Sequence, residues 1–251
     1  MVSGAQFMKH FLRSLVYPGL DLHVQSRRTL SQFWRKGPRR VLDAGSGNGY
    51  FSWLAYRSGA TVLALNYEQG QVAKAQEFLV RYRGAEPTRL KFQQMNLYDL
   101  DKLDGAFEEI ICYETIEHIK GDAQVCREFF RLLKPGGTLH VCCPHALHPR
   151  HQIEVLDTEE KGGHVRAGYT EESFRALLDP IGFRIQQVRG LGSSATVVAD
   201  RWLKKVRHRH GDLVALPLLP LGRMTVRLTE QLDPAVPFSI YAQASKPASE
   251  S

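Results

Sequence analysis

Histidines and carboxylates gather in this chain just after apolar runs, where a strand would hand over to a loop. "EEIICYE" leads straight into "TIEHI", which carries Glu117 and His118. "TLHVCCP" leads into "HALHPRHQ", with His145, His148 and His151, and His164 follows in the loop "EEKGGHVRAGYT". A neutral imidazole near pH 7 can take a proton from a hydroxyl or a protonated amine. His164, His145 and His118 are the candidates for that work, weighed against the plainer reading of loop histidines bonded to backbone. His148 and His151 are expected to be exposed loop residues.

A second stretch is spaced for a ligand rather than for a base. "RRVLDAGSGNGYFSWLA", residues 39–55, sets Gly45, Gly47 and Gly49 at alternate positions directly after an apolar run. Glycine costs backbone entropy, so three of them imply that something must approach the main chain closely. A dinucleotide fingerprint would require glycine at position 50, where packing of helix on strand is tight; that residue is Tyr50. The pattern is D-x-G-x-G-x-G, with Asp43 inside the strand.

The elements that must place these groups alternate. Strands are expected at 40–45, 61–66, 90–96, 108–114 and 138–144. Helical patterns lie between them: "YFSWLAYRSG" closes at Gly59 as a C-cap. "EQGQVAKAQEFLVRYRG" spaces Val72, Ala75, Phe78, Leu79 and Tyr82 for one face. "DAQVCREFFRLLKPGG" runs to a Pro-Gly-Gly stop. Such alternation argues for a parallel sheet covered on both faces, with ligands at the carboxyl edge of the strands. "YTEESFRALLDPIGF" reads as a further helix capped by Thr170. Two final strands, 183–191 and 238–246, enclose about 45 residues that join the cationic "RWLKKVRHRH" to the Pro-broken apolar "LVALPLLPLG". The tail "KPASES" reads as disordered.

With these features in order, residues 35–190 resemble the class I S-adenosylmethionine-dependent methyltransferases. "VLDAGSGNG" is similar to that family's first motif, "CYETIEHI" to its E-x-x-E-H segment, and "LKPGGTLHVCCP" to its Lys-Pro-Gly-Gly turn and fifth strand. The resemblance implies a doubly wound, Rossmann-like α/β fold: a seven-stranded sheet, mostly parallel, closed by a C-terminal antiparallel hairpin. It implies a cofactor domain over 37–191 and 237–246, an N-terminal helical cap over 1–36, and an insertion at 192–236. It also implies S-adenosylmethionine as cofactor. Asp43, Gly45, Ser46, Gly47 and Gly49 would face its methionine part, Asn66 and Tyr67 its ribose, Asn96 and Leu97 its adenine, with Tyr113 lining the pocket or serving as a core aromatic. Asn66 and Asn96 stand where the family often has acids; each amide oxygen can still accept a hydrogen bond, without charge assistance. Glu68 could take the ribose instead, or be a solvated turn carboxylate. Glu114, Glu117 and His118 resemble the ligands of metal-dependent members, and two carboxylates with an imidazole can hold Mg²⁺ or Zn²⁺. The same segment occurs in metal-free relatives, so no metal is expected.

Composition narrows the class. Hydrophobic residues make up 43% and charged residues 24% of 251, which suits one sizeable soluble α/β domain. Four cysteines without a CxxC pair suit a reducing cytoplasm, and no signal peptide or spanning run of about 18 apolar residues is seen. The net charge of +7 is partly local: "RWLKKVRHRH" carries five Lys or Arg and two His and no acid. Segment 201–222 could therefore rest on an anionic membrane surface, cover an apolar acceptor, or form a solvated helical layer. Tyr17, His23 and Arg27 of the cap could reach the site. The expected activity is O-methylation of a small-molecule acceptor, a specialised metabolite or a glycolipid-like compound. RNA methylation is the alternative, without any recognisable RNA-binding module to support it; a binder of the cofactor that does not catalyse is the third.

Overall fold

Seven strands form a single sheet in the computed structural model, which describes residues 8, 10, 11, 13, 14, 17–153, 155–229 and 236–248. They are β1 (Arg40–Ala44), β2 (Thr61–Asn66), β3 (Leu90–Gln94), β4 (Phe107–Tyr113), β5 (Leu133–Pro144), β6 (Arg184–Leu191) and β7 (Ser239–Ser245). The order is β3-β2-β1-β4-β5-β7-β6, and β7 runs antiparallel to both of its neighbours. Each expected strand is present, within a few residues at its ends. The Lys134–Gly137 turn is the exception to its expected role. It does not lie outside the strand but within the span of β5, where the pairing with β4 jumps from Phe107↔Leu133 to Glu109↔Thr138.

The helices in chain order are α1 (Leu22–Arg28), α2 (Tyr50–Arg57), α3 (Gln69–Ala75), α4 (Asp122–Leu132), α5 (Glu171–Leu178), α6 (Ser194–His210) and α7 (Leu219–Thr229). Alternation along the strands divides the core into two layers. Leu42, Ile110 and Leu139 point into one with Val125, Phe129 and Phe174; Val41 and Ile111 point into the other with Phe78, Leu79 and Trp34. Helix α3 runs on as a π-type turn over Gln76–Tyr82 and buries Val72, Ala75, Phe78 and Leu79, the face read from its spacing. Helix α5 starts as expected at Thr170. The Thr170 hydroxyl accepts from the Ser173 amide at 3.2 Å, and the Ser173 hydroxyl accepts from the Thr170 amide at 2.8 Å, a reciprocal cap.

Cap and insertion share a third, smaller core. Leu20 and Leu22 pack with Leu203 of α6 and with Ala215, Leu219 and Val226 around α7. The Leu22 amide also donates to Asp200 Oδ1 at 3.0 Å, across 178 residues of sequence. Parts of the expected cap (1–7, 9, 12, 15 and 16) and of the insertion (230–235), with tail residues 249–251, lie outside the described residues. No helix among the described residues is long and apolar enough to cross a membrane.

At the opposite edge of the sheet from the loops of interest, Arg39 and Glu109 form an ion pair at 2.6 Å, each side chain 1% exposed. Glu109 also accepts from the Arg35 amide at 2.6 Å, and Arg39 donates to Ser58 Oγ at 3.0 Å. Removing one partner leaves a buried charge uncompensated. Arg39→Ala is expected to lower unfolding free energy by about 3–5 kcal/mol, measured by chemical denaturation. A loss under about 1 kcal/mol would contradict this account of the pair.

Candidate active site

The three glycines after β1 do different work. Gly45, Gly47 and Gly49 have φ of 90°, 51° and 80°, a region L side chains rarely adopt. A Cβ on Gly45 would overlap the side chain of Thr115, which follows β4, and one on Gly49 would lie 2.7 Å from Leu79 Cδ1. Those two glycines let the turn sit tightly against β4 and α3. Of the three, only at Gly47 would a Cβ meet nothing within 4 Å, so this is the glycine whose bare backbone faces open space. Beside it, Ser46 is buried and its hydroxyl has no partner, while its amide donates to Leu65 O at 2.8 Å.

Asp43 acts behind the loop rather than in it. It is 2% exposed and accepts a hydrogen bond from the Ser52 hydroxyl in the first turn of α2. Burial raises its carboxyl to about 6, with the Ser52 hydrogen bonds opposing that rise. The residues expected to meet ribose and adenine are also engaged locally. Asn66 Oδ1 accepts from the Glu68 amide at 2.8 Å, and its Nδ2 donates to Gly47 O at 3.4 Å, so it braces the glycine turn. Tyr67 is 71% exposed. Asn96 caps the 3-10 turn of Leu97–Lys102, accepting from the Tyr98 amide at 3.0 Å, and Leu97 is buried in the core. The Tyr113 side chain packs in the core, as the second of its two readings has it, and its hydroxyl accepts from Trp34 Nε1 at 3.2 Å.

After β4 the chain turns through Glu114 at φ 50°, the one non-glycine positive φ among the described residues, and then a 3-10 turn over Ile116–His118. The long loop after β5 folds back onto this turn. The Val165 amide donates to Glu117 O at 3.0 Å, and Arg166 donates to Asp122, to the Tyr169 hydroxyl at 2.6 Å and to Ile119 O at 2.6 Å. The result brings His164 to His118 with rings 4.7 Å apart, and the Nε2 of each lies 3.9 Å from Glu117 Oε1. His118 Nδ1 donates to Gly163 O at 2.9 Å, which places its proton on that nitrogen. Glu117 is fully buried, with neither carboxylate oxygen hydrogen-bonded; burial and the nearby Glu114 charge push its pKa well up. One donor atom from each of Glu117, His118 and His164 falls within 4.8 Å of the others, so the trio could hold a metal ion.

His164 opens onto a cleft of about 590 Å³ lined by Asp21, His23, Arg27, Glu114, Pro144, Arg150, His151, Ile153, Lys204 and Phe238. Arg27 Nη2 pairs with Glu114 at 2.7 Å. His23 stacks on Phe238, with centroids 3.7 Å apart, and burial pushes its pKa down to about 3, so it is a neutral wall. His145 is not among the lining residues: its Nδ1 accepts from the Leu147 amide at 3.2 Å in a local turn. His151 departs from the expected exposure. It is 5% exposed, packs on Phe238 and meets Phe238 O at 3.1 Å through Nε2. Lys204 and Asp200, 2.8 Å apart on α6, were invisible as site residues in sequence; the one signal was Asp200, the only acid in an otherwise cationic helix.

Comparisons with known proteins bear on the family and the fold. Residues 42–141, from β1 to β5, match a methyltransferase domain family. A probable S-adenosylmethionine-dependent methyltransferase of Mycolicibacterium smegmatis is 29% identical over 176 residues, covering 70% of this chain and 62% of that protein. A ubiquinone biosynthesis O-methyltransferase of Pseudomonas fluorescens is 29% identical over 100 residues, covering 39% of this chain and 41% of that one. The chain thus spans less than two thirds of the length of these curated relatives. Among solved structures, the cyclase SpnF superposes with a TM-score of 0.62 over 90% of this chain and 80% of its own, at 22% identity, a likeness of fold.

Asp43 generates a pH-dependent expectation. Its folded-state pKa near 6 exceeds the ordinary value of 3.8, so between those limits the unfolded chain ionises first. Its contribution therefore favours the fold at low pH and is lost as pH rises from about 4 to about 6, by about 3 kcal/mol in all. Asp43→Asn cannot ionise. The stability of wild type minus that of Asp43→Asn, from urea titrations at each pH, should fall by that order across the window; a constant difference would refute it.

Proposed function

The chain carries a class I S-adenosylmethionine-dependent methyltransferase domain, and from that premise we propose that it methylates an oxygen of a small-molecule acceptor seated in the His164 cleft. The single observation that carries the reading is the position of His164. The β5–α5 loop holds an imidazole at the carboxyl edge, in a cleft it shares with the Arg27–Glu114 pair.

The residues present fit the cofactor. Backbone at Gly47, with open space before it and the unpartnered Ser46 hydroxyl beside it, would receive the methionine part, and Asn66 the ribose. The bound cofactor supplies a methyl group already activated by its sulfonium. What remains for the protein is to align an acceptor oxygen in line with that methyl and to take its proton. His164 takes the proton. Arg27, held by Glu114, offers a fixed cation for a polar substituent, while Phe238, Ile153 and Pro144 contact apolar surface. The acceptor that matches such a lining is partly apolar and bears a hydroxyl. The O-methyltransferase among the relatives supports oxygen as the target.

A second reading rests on the same trio. Glu117, His118 and His164 could ligate a divalent cation, with the Gly163 carbonyl orienting His118 as backbone carbonyls orient ligating histidines. The cation would then lower the pKa of the acceptor hydroxyl.

Two substitutions test the proposal. Gly47→Val, which places a side chain in the cofactor cradle, should abolish S-adenosylmethionine binding in calorimetry while the circular dichroism spectrum stays unchanged; retained affinity would move the cofactor elsewhere. His164→Ala should reduce kcat by about 10²–10⁴ with cofactor affinity within about twofold, and equal turnover would remove His164 from the chemistry. Chelator treatment separates the readings: unaffected turnover supports the imidazole acting alone, and a loss restored by Mg²⁺, Mn²⁺ or Zn²⁺ supports the cation.

A further inference from the structure

Helix α1 carries two sets of side chains on opposite sides. His23 and Arg27, four apart, face the His164 cleft; Gln25 and Arg28 sit roughly half a turn away and open onto a second cleft of about 710 Å³. That second space is closed by Gln32, by Arg189 near the end of β6, and by Arg223 and Arg227 of α7. Its charged lining is wholly cationic.

Several arginines elsewhere are matched by acids. Arg27, Arg39, Arg131, Arg166 and Arg175 each pair with a carboxylate. Among the described residues, none of the four cleft arginines does. Two buried donors here also lack an acceptor: Gln25 Nε2 and Arg223 Nε. Arg223 otherwise reaches only Tyr17 O, at 3.5 Å, and burial together with neighbouring Arg28 lowers its pKa. Convergent like charges repel, so a site with several guanidinium groups and spare donors is complementary to a group with several anionic oxygens.

We propose that this cleft, separate from the methyl-transfer site, binds a phosphate-bearing anion through Arg28, Arg189, Arg223 and Arg227. The phosphate belongs either to a soluble compound or to an anionic lipid headgroup. The second source draws on α7, where Leu221, Met224 and Leu228 form an outward apolar stripe, 54%, 52% and 69% exposed, beside the same arginines. The proposal stands independently of which acceptor is methylated.

The test uses the full chain and two charge-matched variants. Arg28→Gln/Arg227→Gln removes two exposed cleft cations; Lys205→Gln/Arg209→Gln removes two from the outer part of α6. One arm titrates inorganic pyrophosphate by calorimetry. The other measures flotation with phosphatidylcholine vesicles made with and without phosphatidylglycerol. Binding is expected in at least one arm, weakened about tenfold or more by the cleft variant and within about twofold of wild type for the control. Pyrophosphate binding assigns a soluble ligand, and binding only to the anionic vesicles assigns a headgroup. Absence of binding in both arms, or equal weakening by the two variants, overturns the proposal.

Discussion

The candidate site depends on how closely two turns approach at the carboxyl edge of the sheet. Gly45 after β1 and Thr115 after β4 lie so near that no side chain fits between them. This interlock ties the glycine turn to the turn bearing Glu114, Glu117 and His118. Next to it, Glu114 adopts a left-handed backbone conformation that is uncommon for any residue with a side chain. Two contacts hold it there: its amide donates to Cys142 O at 2.7 Å, and its carboxylate meets Arg27. A residue in that conformation thus joins β4 to the turn that carries Glu117 and His118.

Much of this was legible in the sequence, because it rests on local rules. Strand positions followed from apolar runs, the α5 start from Thr170 and Ser173, and the tight turn after β1 from alternate glycines. The reason for each glycine was not legible. Gly45 and Gly49 are demanded by Thr115 and by Leu79 and Phe92, residues brought near only by the fold, while Gly47 alone has the openness that spacing suggested for all three. His151 follows the same rule. Its sequence neighbours read as an exposed loop, but Phe238, which is 87 residues away, buries it. The meeting of α1 with α6 and α7 was likewise hidden, since a surface helix reveals its apolar face but not the partner that covers it.

Charge is distributed in a way that its total conceals. Besides the cationic stretch 201–210, four arginines gather around α1, β6 and α7 in a cleft with no acid in its lining. Carboxyl groups show the complementary pattern: Asp43, Glu114 and Glu117 sit at the edge of the sheet, all with pKa values raised by burial. Helix α1 separates these two regions and is the element to which both clefts owe their shape.

The strand order has a bearing on how the molecule is made. β7, residues 239–245, lies between β5 and β6 and supplies hydrogen bonds to both. While a nascent chain is still emerging from the ribosome, β5 therefore keeps one open edge and β6 has no neighbour at all, until residues 239–245 have been synthesised. Unpaired edges of this kind invite association with other chains.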